Sequence, residues 1–240
     1  MDVSWDPDRY DALPLPHEKW GVGVVNKLAL LGDETLVDAG CGSGRDAALA
    51  LGQLPRGHIT GLDASPTMLA AFERRFADSA QVAALAADLM EPWPVASASV
   101  DAVMSVAAFH WLPQPDRAWT QVSRVLRPGG RVVLDAGGFL NIERLLAAVD
   151  AVGAADKLPA WHYAGVDETV GYLDAAGLTP VEVRLRSAPA HFNTDAVYLS
   201  YLKDVVLHHL TDEQRVEVAA IMADRCVDYV RLEVFAMKPV

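Results

Sequence analysis

The stretch Thr35-Leu36-Val37-Asp38-Ala39-Gly40-Cys41-Gly42-Ser43-Gly44 constrains this chain more than any other. A short apolar run ends in an acid and breaks into a loop with glycine at every second position. A helix-compatible segment, Arg45 to Leu51, follows. The spacing predicts a strand, a tight turn and a helix start. Glycine tolerates positive φ and lets backbone approach a ligand where a Cβ would collide. The first amides of the helix point at whatever occupies the loop. At the carboxyl end of a parallel strand, such a turn is how open α/β sheets hold nucleoside-type cofactors.

The segments around it keep the same rhythm. Val22 to Leu31 reads as a helix, and His58 to Asp63 as a second strand ending in an acid. Ser65 and Pro66 are an N-cap and a first helical residue, ahead of an apolar face of Met68, Leu69, Phe72 and Phe76. Gln81 to Ala86 and Ser99 to Val106 read as strands, the latter running into Phe109-His110-Trp111-Leu112. Asp116 to Leu126 reads as a helix, Arg127-Pro128-Gly129-Gly130 as a turn, and Arg131 to Asp135 as a fifth strand. Alternating strands and helices imply right-handed βαβ units and a parallel sheet. Beyond residue 138 the rhythm loosens. Ile142 to Val149 and Thr169 to Ala176 look helical, and Thr179 to Arg186 alternates as a strand. Thr194 to Leu210 and Thr211 to Val227 read as consecutive helices, the second opening on a capping box, Thr211 to Gln214. Tyr229 to Met237 reads as a last strand. The expected fold is α/β: a doubly wound, Rossmann-like sheet of about seven mostly parallel strands, with helices on both faces and a small helical cover. Residues 1–33 would be an arm and helix over the site, 34–138 the cofactor-binding core, and 139–240 the remainder of the same domain.

Composition removes several classes. Hydrophobic residues make up 52% of the 240, so a large core can be buried, yet no apolar run reaches the ~18 residues a membrane span needs. The start lacks the basic and apolar regions of a signal peptide. Cys41 and Cys226 stand far apart, with neither disulfide nor zinc spacing. A cytoplasmic protein without membrane partner or metal is expected. Net charge is −12, which repels phosphate backbones and argues against nucleic acid.

Four features fall in order: Asp38 with Gly40, Gly42 and Gly44; Asp63 at the next strand end, placed to accept from ribose hydroxyls; Asp88, where the acid or the adjacent Leu89 amide could reach an adenine amino group; and the Arg127–Gly130 turn. Together they resemble the class I S-adenosylmethionine-dependent methyltransferases, closely over residues 34–136. The spacing is G-x-G-x-G, not the G-x-G-x-x-G with which dinucleotide binders meet a pyrophosphate. Ser4-Trp5-Asp6-Pro7-Asp8-Arg9-Tyr10, Ile59 to Met68, Trp111-Leu112-Pro113 and Leu210 to Gln214 are similar to the trans-aconitate methyltransferase group, which O-methylates small carboxylic acids. The arm departs from that group: Leu15-Pro16-His17-Glu18-Lys19-Trp20 stands where it carries an arginine-rich stretch, leaving fewer guanidinium clamps for carboxylates.

The resemblance implies S-adenosylmethionine held by Gly40, Gly42, Gly44, Asp63, Ala64, Met68, Asp88 and Leu89. Asp38 and Cys41 would support the loop, and Ser105 and Val106 would lie beside the methionine half. His110 is the first candidate general base, followed by His17. Tyr10, His17, Trp20, Trp111, His162, Tyr163 and His191 are candidates to line the acceptor site. A carboxylate acceptor is already ionised at neutral pH and needs no base; a phenol, amine or carbon nucleophile would benefit from one. The expected activity is methyl transfer to a small-molecule acceptor, foremost a small carboxylic acid, by a monomer or homodimer. A natural-product methyltransferase for a larger apolar acceptor and a non-catalytic S-adenosylmethionine-binding protein are the alternatives.

Overall fold

Leu36, Val37, Asp38 and Ala39 are all buried, the pattern of a strand covered on both faces rather than one with a wet side. This strand, β1 (Thr35–Ala39), is an interior strand, third in order, of a seven-stranded sheet in a computed structural model that describes residues 17–240, with side chains from residue 19. The other strands are β2 (His58–Asp63), β3 (Val82–Ala86), β4 (Val100–Val106), β5 (Leu126–Gly137), β6 (Thr179–Ser187) and β9 (Val230–Met237), in the order β3-β2-β1-β4-β5-β9-β6. β1 to β5 are mutually parallel, while β9 is antiparallel to both β5 and β6. Strand order reverses between β1 and β4. In a doubly wound sheet a ligand crevice opens outside the carboxyl ends at that point.

Helices α1 (His17–Leu28), α2 (Arg45–Leu51), α3 (Pro66–Arg75), α4 (Pro115–Val125), α5 (Glu143–Ala151), α6 (Val166–Ala175), α7 (Asp195–Tyr201) and α8 (Asp212–Met222) cover the sheet. One apolar layer joins Val24, Val25 and Leu28 of α1 to Ala47 and Ala50 of α2 and to Leu36 and Met104 of the sheet. The opposite layer seats Ala118, Trp119, Val122 and Val125 of α4, with Leu173 of α6, on Val37, Val103, Leu134 and Val234. Ser65 caps α3 by accepting the Met68 N–H, with Pro66 in the first turn, and Thr211 and Gln214 form the expected capping box on α8.

Three local readings change. The Arg127–Gly130 turn lies inside β5: pairing with β4 jumps from Val100↔Leu126 to Ala102↔Arg131, and Gly129 takes φ +77°. The bulge is tied down by Gly129 N–H to Lys238 O at 3.0 Å and by Lys238 N–H to Gly130 O at 2.8 Å. The long helix expected over Thr194 to Leu210 becomes α7 followed by a π-helical segment, Leu202–Val206. The helix expected to reach Val227 stops at Met222, where Ala223 turns left-handed at φ +59°. Cys226–Val227 (β8) instead pairs with Ala190–His191 (β7) in a two-stranded ribbon. Among the described residues no helix is long and apolar enough to cross a membrane.

Candidate active site

The glycine loop is built by the strands that flank it. Gly40 and Cys41 N–H both donate to Leu62 O, at 2.8 and 3.0 Å, so the chain leaving β1 is held against β2. Gly42 N–H donates to Asp63 Oδ2 at 2.9 Å, and Ser65 N–H to Asp63 Oδ1 at 2.8 Å. One carboxylate thereby fixes the turn after β1 and the turn after β2. Burial pushes the Asp63 carboxyl up, against the pull of these amides. Gly40 has φ +79°, and a Cβ there would lie 2.3 Å from the Ala108 Cβ. Gly42 has φ +52°, and a Cβ there would meet no atom within 4 Å. That space belongs to a cleft of about 780 Å³, within the range of small-molecule sites.

Of the residues expected at the cofactor, Gly40, Gly42, Asp63, Ala64, Met68, Asp88, Leu89 and Val106 line this cleft. Asp38, Cys41, Gly44 and Ser105 lie behind its surface. Asp38 is buried with Oδ2 unpartnered, and burial, with the charges of Asp46 and Asp63, pushes its carboxyl well above the usual range. Burial likewise pushes the Cys41 thiol up, so it is no nucleophile at neutral pH. Ser105 Oγ donates to Ala39 O at 2.7 Å and pins β4 to β1 at the reversal point. Gly44, at φ +86°, caps α2 against Phe72 and Phe76.

Beneath the loop, Asp46 in the first turn of α2 is pushed up to about 6, chiefly by burial. Its unfolded value is 3.8, so between the two values the folded chain holds a proton that the unfolded chain has lost. That stabilisation is full below the unfolded value and is lost as pH rises through the folded one. Asp46→Asn is therefore expected to melt higher than wild type at pH 7 and to lose that advantage near pH 4. Paired thermal scans at the two pH values check this; an equal difference at both would refute it.

The β4–β5–β9 side of the cleft is different in character. His110 sits in a 3₁₀ turn, Phe109–Trp111, just past β4. Its Nδ1 accepts from Gly137 N–H at 3.3 Å, which assigns the ring proton to Nε2. Burial, with the charge of Arg231, pulls the imidazole down to about 3. His110 is thus neutral at physiological pH, a hydrogen-bond donor. It lies against Trp111 and Tyr163, with ring centroids 5.6 and 5.9 Å away, and Trp161 joins the same aromatic wall. His110, Trp111 and Tyr163 all line the cleft.

The remaining candidates for the acceptor site lie elsewhere or outside the described residues. His162 faces a small adjoining cavity and lies 2.9 Å from Glu168. His191, on the β7–β8 ribbon, is exposed and stands beside Cys226, away from the cleft. Trp20 is buried behind the wall: α1 packs on the sheet and lays the indole over the Arg231 guanidinium, 3.7 Å from its centroid, and edge-on to Tyr229. Tyr10 and the His17 side chain lie outside the described residues.

The sequence reading missed Asn141, Trp161, Tyr229 and Arg231, all of which line the cleft. Arg231 is only 1% exposed. Its Nε donates to Asp135 Oδ1 at 2.7 Å and its Nη2 to Asp135 O at 3.3 Å.

Residues 37–134 match the family model described as a methyltransferase domain. An uncharacterized methyltransferase of Schizosaccharomyces pombe is 30% identical over 184 residues, covering 72% of this chain and 69% of that protein. Malonyl-[acyl-carrier protein] O-methyltransferase of Methylococcus capsulatus is 28% identical over 84% of this chain and 73% of its own length. Trans-aconitate 2-methyltransferase of an Acidovorax species is 29% identical over 53% of this chain and 47% of its own. In fold, geranyl diphosphate C-methyltransferase from Streptomyces coelicolor, solved with Mg2+, geranyl diphosphate and S-adenosyl-L-homocysteine, superposes with a TM-score of 0.64 at 16% identity, over 92% of this chain and 80% of that one. The open ground at Gly42 and the doubly anchored Asp63 carboxylate fit the cofactor that this family uses. The chain belongs to the class I S-adenosylmethionine-dependent methyltransferases.

Proposed function

We propose that this methyltransferase O-methylates a small carboxylic acid. The observation that carries the reading is the absence of a usable base on the acceptor side of the cleft among the described residues. His110 is neutral with its proton on Nε2, burial raises the Tyr163 phenol and raises Tyr229 to about 12, and Arg231 is a cation. Among the described residues, none there is placed to take a proton from a phenol, amine or carbon acid. A carboxylate arrives without one. The relatives named for malonyl-[acyl-carrier protein] and for trans-aconitate support an acid acceptor.

S-adenosylmethionine supplies an electrophilic methyl group on a sulfonium. Gly40 and Gly42 leave its path open, Asp63 offers a carboxylate for the ribose, and Asp88 with Leu89 and Met68 would bound the base. On the other side Trp111, Trp161 and Tyr163 exclude water, and His110 N–H orients the acceptor. Positioning two reactants at attack distance supplies on the order of 7–11 kcal/mol of the barrier. The same aromatic wall favours the second reading, a larger apolar natural product.

The test is methyl transfer from labelled S-adenosylmethionine to a panel of acids, phenols and amines across pH 6–9. The expected result is ester formation at a rate flat with pH, and a loss of under ~10-fold in His110→Gln. A sigmoidal profile with a ~10²–10⁴-fold loss in that variant would identify a base and sink the reading.

The glycines separate fold from binding. Gly42→Ala is expected to fold, at a cost of about 1 kcal/mol for a non-glycine residue at positive φ, while losing cofactor affinity because its methyl enters the cleft. Gly40→Ala is expected to lower the melting temperature as well, since its methyl collides with Ala108. Equal thermal losses in the two variants would refute this division.

A further inference from the structure

We propose that Arg231 selects the acceptor by receiving its carboxylate on the guanidinium edge that lines the cleft, making the substrate an acid with an apolar body. The inference rests on the carboxylic-acid reading above and names the residue that reads the acid.

A guanidinium carries five N–H donors. In Arg231 one goes to Asp135 Oδ1 and one to Asp135 O. The other three have no protein partner among the described residues. Trp20 closes one face of the group. Buried donors left unpaired are costly, and those of an ionised group the most so. Arg231 is nevertheless almost fully buried, and the open space it borders is the cleft. A ligand carboxylate satisfies such a fork in bidentate fashion.

Location identifies which ligand supplies that carboxylate. Arg231 pairs across the sheet with Gly137, the last residue of β5, whose N–H holds His110. Asn141, fixed by accepting the Val230 N–H at 3.0 Å, stands in the same corner. The glycine loop follows β1, which β4 and β5 separate from β9 in the sheet. Donors cluster at the corner, and Trp111, Trp161, Val205 and Val206 supply apolar wall around it. An anionic head in the corner and an apolar body along that wall fit this distribution.

Titration calorimetry tests the assignment on wild type and Arg231→Lys. S-adenosylhomocysteine is titrated first. Hexanoate, phenylacetate and the corresponding amides are then titrated into the complex. Wild type is expected to prefer acid over amide by at least ~10-fold, the scale of a charge-assisted hydrogen bond. Arg231→Lys is expected to lose that preference while holding S-adenosylhomocysteine within about twofold of wild type. An unchanged acid preference in Arg231→Lys overturns the proposal and leaves the carboxylic-acid reading standing. A parallel fall in S-adenosylhomocysteine affinity overturns it too, assigning Arg231 to the cofactor's own carboxylate. Wild type that binds amides and no acids overturns both readings. If Arg231→Lys does not fold, crystals of wild type with S-adenosylhomocysteine and phenylacetate decide: a carboxylate within hydrogen-bond distance of an Arg231 Nη supports the proposal, and one elsewhere ends it.

Discussion

Asp63→Ala is expected to weaken binding of S-adenosylmethionine and S-adenosylhomocysteine by roughly 10²–10³-fold. Two losses combine. The ribose hydroxyls lose a charged acceptor, and charge-assisted hydrogen bonds contribute about 1.5–3 kcal/mol each. The Gly42 and Ser65 amides lose the carboxylate that fixes the two turns on which the cofactor rests. Asp63→Asn keeps one acceptor oxygen and is expected to fall between. Calorimetry on the three proteins, with circular dichroism to confirm the fold, makes the measurement. Wild-type affinity in Asp63→Ala would remove the carboxylate from the cofactor site and reduce it to a turn-fixing role.

The largest stability effect is expected from Asp135→Asn. Asp135 and Arg231 form a buried pair, 5% and 1% exposed at the side chain, with Arg186 a further 3.8 Å from the same carboxylate. Burial pushes the Asp135 carboxyl up, while Arg231 pulls it back toward the ionised form. Removing one partner leaves an uncompensated cation inside the protein, at a cost of about 3–5 kcal/mol. For a chain of this size that corresponds to a fall in melting temperature of roughly 6–20 °C. The double variant Asp135→Leu with Arg231→Met is expected to recover most of the loss, because replacing both ions by apolar groups is often neutral. Scanning calorimetry distinguishes the outcomes. A single variant melting within 2 °C of wild type would show that the pair is not held as the distances imply.

The cofactor half of the site is legible in the sequence because its signals are local. Gly40, Gly42 and Asp63 act through turns a few residues long, and the residues that demand the conformation are the ones that identify it. Arg231 has no such signal. In Val230-Arg231-Leu232-Glu233-Val234 it occupies the polar position of an alternating strand, which ordinarily faces water. Its burial comes from β5 and from Trp20 on α1, more than 90 residues distant in each case. Cys226 was misplaced for a related reason. The helix before it ends on Ala223 at φ +59°, and Arg225 follows at φ +46°; neither residue type announces a left-handed turn. His191 and His162 lie in the irregular half, where nothing local specifies which way a two-residue ribbon or a loop turns a side chain.

The place of β9 has a consequence for how the molecule assembles. β6 is made before β9 but touches the rest of the sheet only through it. During synthesis the nucleotide-like half, β1 to β5, can pair as it emerges, whereas β5 keeps a bare edge until residues 230–237 arrive. Pairings so distant in sequence close late and leave strand edges open to other chains meanwhile. The last strand to join also carries Arg231. A nascent or C-terminally clipped chain would therefore gain the ability to hold the methyl donor before it could choose what to methylate.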